Sequence, residues 1–275
     1  MKSNTLKVAA IHDISGVGRC SLTVILPVLS ALGVQVCPVP TAVLSSHTGG
    51  FTDMAVCDLT DYIPSALEHY KRLKYPFDCI YSGYLASARQ VDCCLDFFGN
   101  YKNSLKIVDP VMADNGVTYS MHTPELCARM RELVAVADII TPNITEAAIL
   151  LGENPLQPDL SFDRMKDFLS RLSALGPNIV IITSVFGEGG HYNICCDRKQ
   201  GKFWKIPFNH INANYPGTGD IFASVLTGFI LRGESVPRSV SRAASFLETA
   251  IKTTASRSTD LREGIAIESC LQLLR

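Results

Sequence analysis

The 275-residue sequence has almost no net charge, −1 at neutral pH. That removes the electrostatic case for nucleic acid or an anionic membrane as a partner. It also lacks an apolar run that would span a bilayer. The richest segment, residues 22–34, contains Pro27 and Ser30 and is too short. The first residues are polar and no apolar stretch follows them, so no secretory leader is expected. None of the ten cysteines forms a Cys-x-x-Cys pair, and Cys93-Cys94 and Cys195-Cys196 are adjacent, the wrong spacing for common zinc sites. We therefore expect reduced, mostly buried thiols in a cytoplasmic protein, where the Asn143-Ile144-Thr145 sequon meets no glycosylation. Repeats, low-complexity tracts and linkers are missing as well. A single domain over residues 1–275, large enough for a substantial core, is the expectation.

What is there is alternation. A strand over 8–11 ends in His12-Asp13, a loop follows over 14–19, and a helix covers 21–32. Strands are expected at 34–43, 79–82, 105–108, 139–141 and 179–183. Helices are expected at 60–74, 88–101, 124–136, 145–151 and 162–175. Residues 191–196 and 202–206 flank Asp197-Arg198-Lys199-Gln200-Gly201 and read as a β-hairpin. Helices at 218–232, 237–254 and 265–274 close the chain. This order means an α/β fold, a mostly parallel sheet with helices on both faces.

Ligands of such sheets bind beyond the carboxyl ends of the strands. Polar residues recur there: His12-Asp13, Thr41, Ser82-Gly83-Tyr84, Asp109, Thr141-Pro142-Asn143 and Thr183-Ser184. The first loop, with Gly16 and Gly18, has part of a dinucleotide fingerprint. Its third glycine position is Ser21, however, and the second strand runs into Pro38, Pro40 and Thr41 without an acidic residue for a ribose. A dehydrogenase is disfavoured.

The most informative stretch is 215–228. Pro216, Gly217 and Gly219 prevent regular structure, and Ile221, Phe222, Val225, Leu226, Phe229 and Ile230 then recur at helical spacing. A Gly-x-Gly turn opening into a buried helix presents unpaired N–H groups and the positive end of the helix dipole, which suits an oxyanion such as phosphate. Asp220 in the first turn either complements that dipole or serves as a general base beside a phosphate cradle. Asp109 and Asp114 are either solvated loop carboxylates or a hard-oxygen site for Mg²⁺. Asn143 and Glu146 have capping-box spacing, and Glu146 is also a candidate holder of a metal-bound water. The segment 45–51, Ser-Ser-His-Thr-Gly-Gly-Phe, reads as a surface loop or as part of a site, with His47 either structural or catalytic.

In this order, Ser82-Gly83-Tyr84-Leu85, Asp109-Pro110-Val111-Met112, Thr141-Pro142-Asn143 and Gly217-Thr218-Gly219-Asp220 resemble the ribokinase-like superfamily. Ser46-His47-Thr48-Gly49 narrows the resemblance to its pyridoxal/pyridoxamine kinases, over residues 8–254. The resemblance implies a ribokinase-like three-layer α-β-α domain with a small hairpin. It also implies ATP-dependent phosphorylation of the 5′-hydroxymethyl group of a vitamin B6 vitamer.

Asp220 then resembles the base, with the amides of Gly217, Thr218 and Gly219 as anion hole. Asp109, Asp114, Asn143 and Glu146 resemble the group that positions Mg²⁺ and the ATP phosphates. Tyr119, Thr183, Ser184 and Thr218 match phosphate or nucleotide contacts, and Ile211, Asn212, Tyr215 and Ile251 match the adenine pocket. Thr41, Val43, His47 and Tyr84 match residues around the pyridine ring. Members are usually homodimers, and many respond to a monovalent cation such as K⁺. Asp13 stands where many pyridoxal kinases carry Ser, and it resembles the hydroxymethylpyrimidine kinases instead. Hydroxymethylpyrimidine is thus the alternative substrate. A non-catalytic vitamer- or nucleotide-binding protein on the same scaffold is the alternative from outside enzymology.

Overall fold

The computed structural model describes residues 5–119, 123–154, 161–187, 189–257 and 260–275. In chain order the elements are β1 (Lys7–Val17), α1 (Leu22–Ala31), β2 (Gln35–Ser46), β3 (Val56–Asp58), α2 (Tyr62–Arg72), β4 (Cys79–Ser82), α3 (Ala88–Asn100) and β5 (Leu105–Val108). Then come β6 (Ala113–Asp114), β7 (Val117–Thr118), α4 (Pro124–Ala135), β8 (Ile139–Ile140), α5 (Ile144–Leu151) and α6 (Phe162–Ala174). The last are β9 (Ile179–Gly187), β10 (Gly190–Asp197), β11 (Lys202–Phe208), α7 (Thr218–Leu231) and α8 (Val236–Ala255). Two compact units are formed: the residues up to Tyr81 together with His210–Arg275, and Ser82–Asn209.

In the first unit β1 pairs in parallel with β2, from Lys7 opposite Gln35 to Val17 opposite Ser46, with a bulge between His12 and Ile14. Val8, Ala9, Ala10 and Ile11 are fully buried, as a strand covered on both faces requires. Pro38 and Pro40 are tolerated because β3 covers only Ala42, Val43 and Leu44 of β2 and needs no N–H from either proline. In the second unit β5–β8 and β8–β9 are parallel, while β9, β10 and β11 run antiparallel. Parallel pairing, interleaved helices and an antiparallel hairpin at β10–β11 are those of the expected α/β class. Among the described residues no helix is long and apolar enough to cross a membrane.

Two expectations need correction. Residues 14–17 are strand, because Ile14, Ser15 and Val17 keep their register against Val43, Leu44 and Ser46. The helix expected at 265–274 is a pair of 3-10 turns, Ile267–Ser269 and Leu271–Leu274. Ala266 N donates to Thr254 Oγ1 at 3.0 Å, and Ile265, Ile267, Cys270 and Leu274 are buried, so packing overrides the helical period. The small β6–β7 hairpin was not anticipated, although Asn115-Gly116 is a strong type I′ turn signal and both residues have positive φ, 49° and 79°.

Candidate active site

In the first unit Asp220, the Ser21 main-chain N–H, His12 and Asp13 are linked by hydrogen bonds at the start of α7. Gly217, the N-cap of α7, has φ 80°, and a Cβ there would lie 2.2 Å from the Arg19 carbonyl oxygen. Only glycine fits. The turn 19–21 therefore packs directly on the helix start. Ser21, itself at φ 53°, donates its main-chain N–H to Asp220 Oδ2 at 2.7 Å. Positive φ is costly for serine, and here it aims an amide at a carboxylate. His12 Nε2 lies 3.0 Å from Asp220 Oδ1, and its Nδ1 lies 2.8 Å from Asp13 Oδ1. Asp13 Oδ2 accepts from Ser15 Oγ at 3.2 Å.

Burial pulls the His12 pKa down, but the charge of Asp220 and hydrogen bonds to Asp13 and Asp220 outweigh it and raise it to about 10. Burial pushes Asp13 up, but the hydrogen bond to His12, the charge of His12 and hydrogen bonds to Ser21 and Ser15 together outweigh it, leaving its carboxyl below the ordinary range. Asp220 keeps a little solvent exposure, 9%. Each carboxylate oxygen has a second lone pair beyond the contacts named. Helix α7 has no side-chain cap, so its first-turn amides are left to another acceptor. Thr218 is half-buried and Gly219 exposed at that end.

Other residues singled out in this unit are spread along it. Thr41 is fully buried on β2, whereas Val43 is 44% exposed. His47 is buried and engaged at both nitrogens: Nε2 donates to the Arg262 carbonyl at 2.6 Å, and Nδ1 accepts from Gly49 N–H at 3.0 Å. This latches the loop that follows β2 to the 3-10 turn Leu261–Glu263, and Phe51 packs edge-on against His47 with Arg262 over its ring. Tyr215 is buried, Ile211 and Ile251 are half-buried, and Asn212 is exposed.

The second unit has an acidic group of its own. Asp109, just past β5, is buried and accepts from Thr141 Oγ1 at 2.9 Å. Asn143 and Glu146 form the expected capping box of α5. Glu146 Oε2 accepts from Asn143 N–H at 2.9 Å and Oε1 from Met112 N–H at 3.0 Å, while Asn143 Nδ2 donates to the Ala113 carbonyl at 2.8 Å. Burial first, then the charge of Asp109, push Glu146 well above the usual carboxylate range. Thr183 N–H donates to the Pro142 carbonyl at 2.9 Å, bringing Thr183 and Asn143 side by side. Ser184 is exposed, at φ 56°, with its N–H on Asn193 Oδ1 at 3.1 Å. Asp114 is tied to Asn115 in the turn of the small hairpin, and burial raises its pKa. Tyr84 is half-buried and Tyr119 is 41% exposed.

These residues do not make an all-protein metal cage: among the described residues no three His, Cys, Asp or Glu side chains cluster as ligands. They do fit Mg²⁺ held by one or two carboxylates, with water and phosphate oxygens completing the octahedron. Two buried carboxyls that repel one another's charge are the physical sign of that fit, because a cation relieves the repulsion.

In the sequence alone His12 stands among the polar strand-end residues without a role of its own, and Ser21 has no place in the site. The polar pair His12-Asp13 at a strand end was a signal; the positive φ of Ser21 had none.

The sequence profile of the phosphomethylpyrimidine kinase family matches residues 26–265. A Bacteroides thetaiotaomicron structure, provisionally described as a phosphomethylpyrimidine kinase and crystallised in one form with pyridoxal, is 42% identical. That match covers 98% of this chain and 96% of the other, with a TM-score of 0.94. Pyridoxal kinase from Lactobacillus plantarum is 33% identical, covering 99% and 97%, with a TM-score of 0.88. The hydroxymethylpyrimidine/phosphomethylpyrimidine kinase of Haemophilus influenzae is 27% identical over 258 residues, 90% of this chain and 92% of that one.

Proposed function

Because the chain belongs to the phosphomethylpyrimidine kinase family, we propose that it is a single kinase domain that phosphorylates a vitamin B6 vitamer. It transfers the γ-phosphoryl group of ATP to the 5′-hydroxymethyl oxygen of pyridoxal, pyridoxamine or pyridoxine, giving the 5′-phosphate and ADP. One observation carries this reading: a carboxylate, Asp220, is held on both oxygens at an uncapped helix start whose αL glycine admits no side chain. Phosphoryl transfer asks little covalent chemistry of a protein, and positioning plus charge stabilisation do most of the work. Asp220 takes the acceptor proton late, when the new P–O bond has made it acidic. The amides of Gly217, Thr218 and Gly219 stabilise the charge spread over the transferring group.

Asp109, Asp114, Asn143 and Glu146 are assigned to Mg²⁺ and the ATP phosphates. The ion, when bound, neutralises phosphate charge. Tyr119, Thr183, Ser184 and Thr218 are assigned to phosphate or nucleotide contacts, and Ile211, Asn212, Tyr215 and Ile251 to the adenine. Asp13, Thr41, Val43, His47 and Tyr84 are assigned to the vitamer. Thr41 and His47 are buried, so their contribution is to shape that side of the site. The reading extends to a cytoplasmic homodimer, with K⁺ as a candidate activating cation; ten free thiols support a reducing compartment.

A B6 vitamer is preferred because the 42% identical relative was crystallised with pyridoxal and the 33% identical one is a pyridoxal kinase. Hydroxymethylpyrimidine is the second reading, favoured by the family's name and by an aspartate at position 13. ADP release with each vitamer and with hydroxymethylpyrimidine tests the proposal. No release with any of them overturns it in favour of a non-catalytic binding protein.

A further inference from the structure

We infer that His12 is a positioning residue for the transfer: as a buried imidazolium bridging Asp13 and Asp220, it keeps Asp220 ionised and fixes which lone pairs of that carboxylate face the acceptor. The inference rests on the reading of Asp220 as the base. Its support is geometric. Nε2 lies 3.0 Å from Asp220 Oδ1 and Nδ1 lies 2.8 Å from Asp13 Oδ1, with all three side chains buried.

An ionised carboxylate only accepts, so both contacts are hydrogen bonds only when both ring nitrogens carry protons. The Asp13 main-chain N–H also lies 3.0 Å from Nδ1, which would suit a neutral ring. A neutral ring, however, sets a nitrogen lone pair 2.8 Å from a buried carboxylate oxygen, a repulsive contact. The charges favour the imidazolium. The titratable groups facing it are Asp13 from β1 and Asp220 from α7, and the thiol of Cys20, from the turn before α1, lies in the field of both carboxylates. Burial, then the charges of Asp220 and Asp13, push that thiol up to about 12, so it stays neutral.

Without the imidazolium, two carboxylates would share a buried pocket and one would take up a proton. A protonated Asp220 cannot accept the substrate's. An ionised carboxylate suits a loose transition state, in which the acceptor becomes acidic only as the P–O bond forms. Ser21 supplies the second restraint. Its N–H holds Oδ2, so the carboxylate cannot rotate about its terminal bond without losing one hydrogen bond or the other.

The test is the pH profile of kcat for His12→Gln, read with pyridoxal as acceptor. We expect kcat at neutral pH to fall about tenfold or more with little change in KM. The acidic limb should move up by about one pH unit or more, so that activity recovers at alkaline pH. The double variant His12→Gln/Asp13→Asn, with one carboxylate removed, should bring that limb back toward wild type. A loss that is equal at every pH, with the acidic limb unmoved, overturns the inference. If His12→Gln does not fold, ¹⁵N-histidine NMR of the wild-type protein decides: the inference requires both ring nitrogens of His12 to stay protonated at pH 8, and a neutral ring there refutes it. Wild-type turnover by Asp220→Asn would instead sink the base assignment, and would do so whatever His12 shows.

Discussion

Replacing Asp220 with asparagine keeps the shape of the side chain and removes its basicity. The amide oxygen can still accept the Ser21 N–H, now made at 2.7 Å. The amide nitrogen would then face His12 Nε2, now 3.0 Å from Asp220 Oδ1, so two donors oppose each other. The charge balance moves the other way. Wild type has two carboxylates around one imidazolium, and the variant leaves Asp13 and His12 as a balanced pair. The fold should therefore survive with little change in Tm, while kcat falls by about 10²–10⁴-fold, or about 3–5 kcal/mol of transition-state stabilisation. Initial-rate ADP release with saturating pyridoxal, beside thermal melts with and without Mg·ATP, separates the two effects. Wild-type turnover in a variant that melts normally would refute the reasoning outright.

Other outcomes follow from neighbouring geometry. Gly217→Ala puts a methyl 2.2 Å from the Arg19 carbonyl at a positive φ. Strain and overlap should cost about 1–3 kcal/mol, and kcat should drop with Tm as the 19–21 turn shifts away from Asp220. Asp109→Asn should raise the Mg²⁺ concentration needed for half-maximal rate while leaving apo stability nearly unchanged; an unaltered Mg²⁺ titration would remove Asp109 from the metal group. Stability should also fall with alkaline pH. The folded pKa of His12, about 10, lies above its ordinary 6.5, so its stabilisation is complete below 6.5 and is lost as pH rises toward 10. Melting temperatures over that window should decline in wild type and flatten in His12→Gln.

Much of this architecture was legible because the apolar periods are strong. The strands at 79–82 and 105–108 were read to the residue, and the β10–β11 hairpin followed from a polar five-residue turn. The extension of β1 through Gly16 was not legible, since it depends on pairing with β2, a partner no local signal names. The C-terminal 3-10 turns were hidden for a related reason: their apolar spacing mimics a helix until the packing of Ile265 and Leu274 is known. In the first unit the turn at 217–220 was legible through its glycines, and in the second the 143/146 pair was legible through its capping spacing. The clamp on Asp220 was not, because it joins residues 208 and 199 positions apart and one of them contributes only its backbone.

The most direct test of the central claim is side-by-side initial-rate ADP release by the purified protein with Mg·ATP and pyridoxal, pyridoxamine, pyridoxine or hydroxymethylpyrimidine. The account predicts stoichiometric formation of a 5′-phosphate from at least one B6 vitamer, with a higher kcat/KM than for hydroxymethylpyrimidine. A clear preference for the pyrimidine, or no phosphorylated product from any of the four, would contradict it.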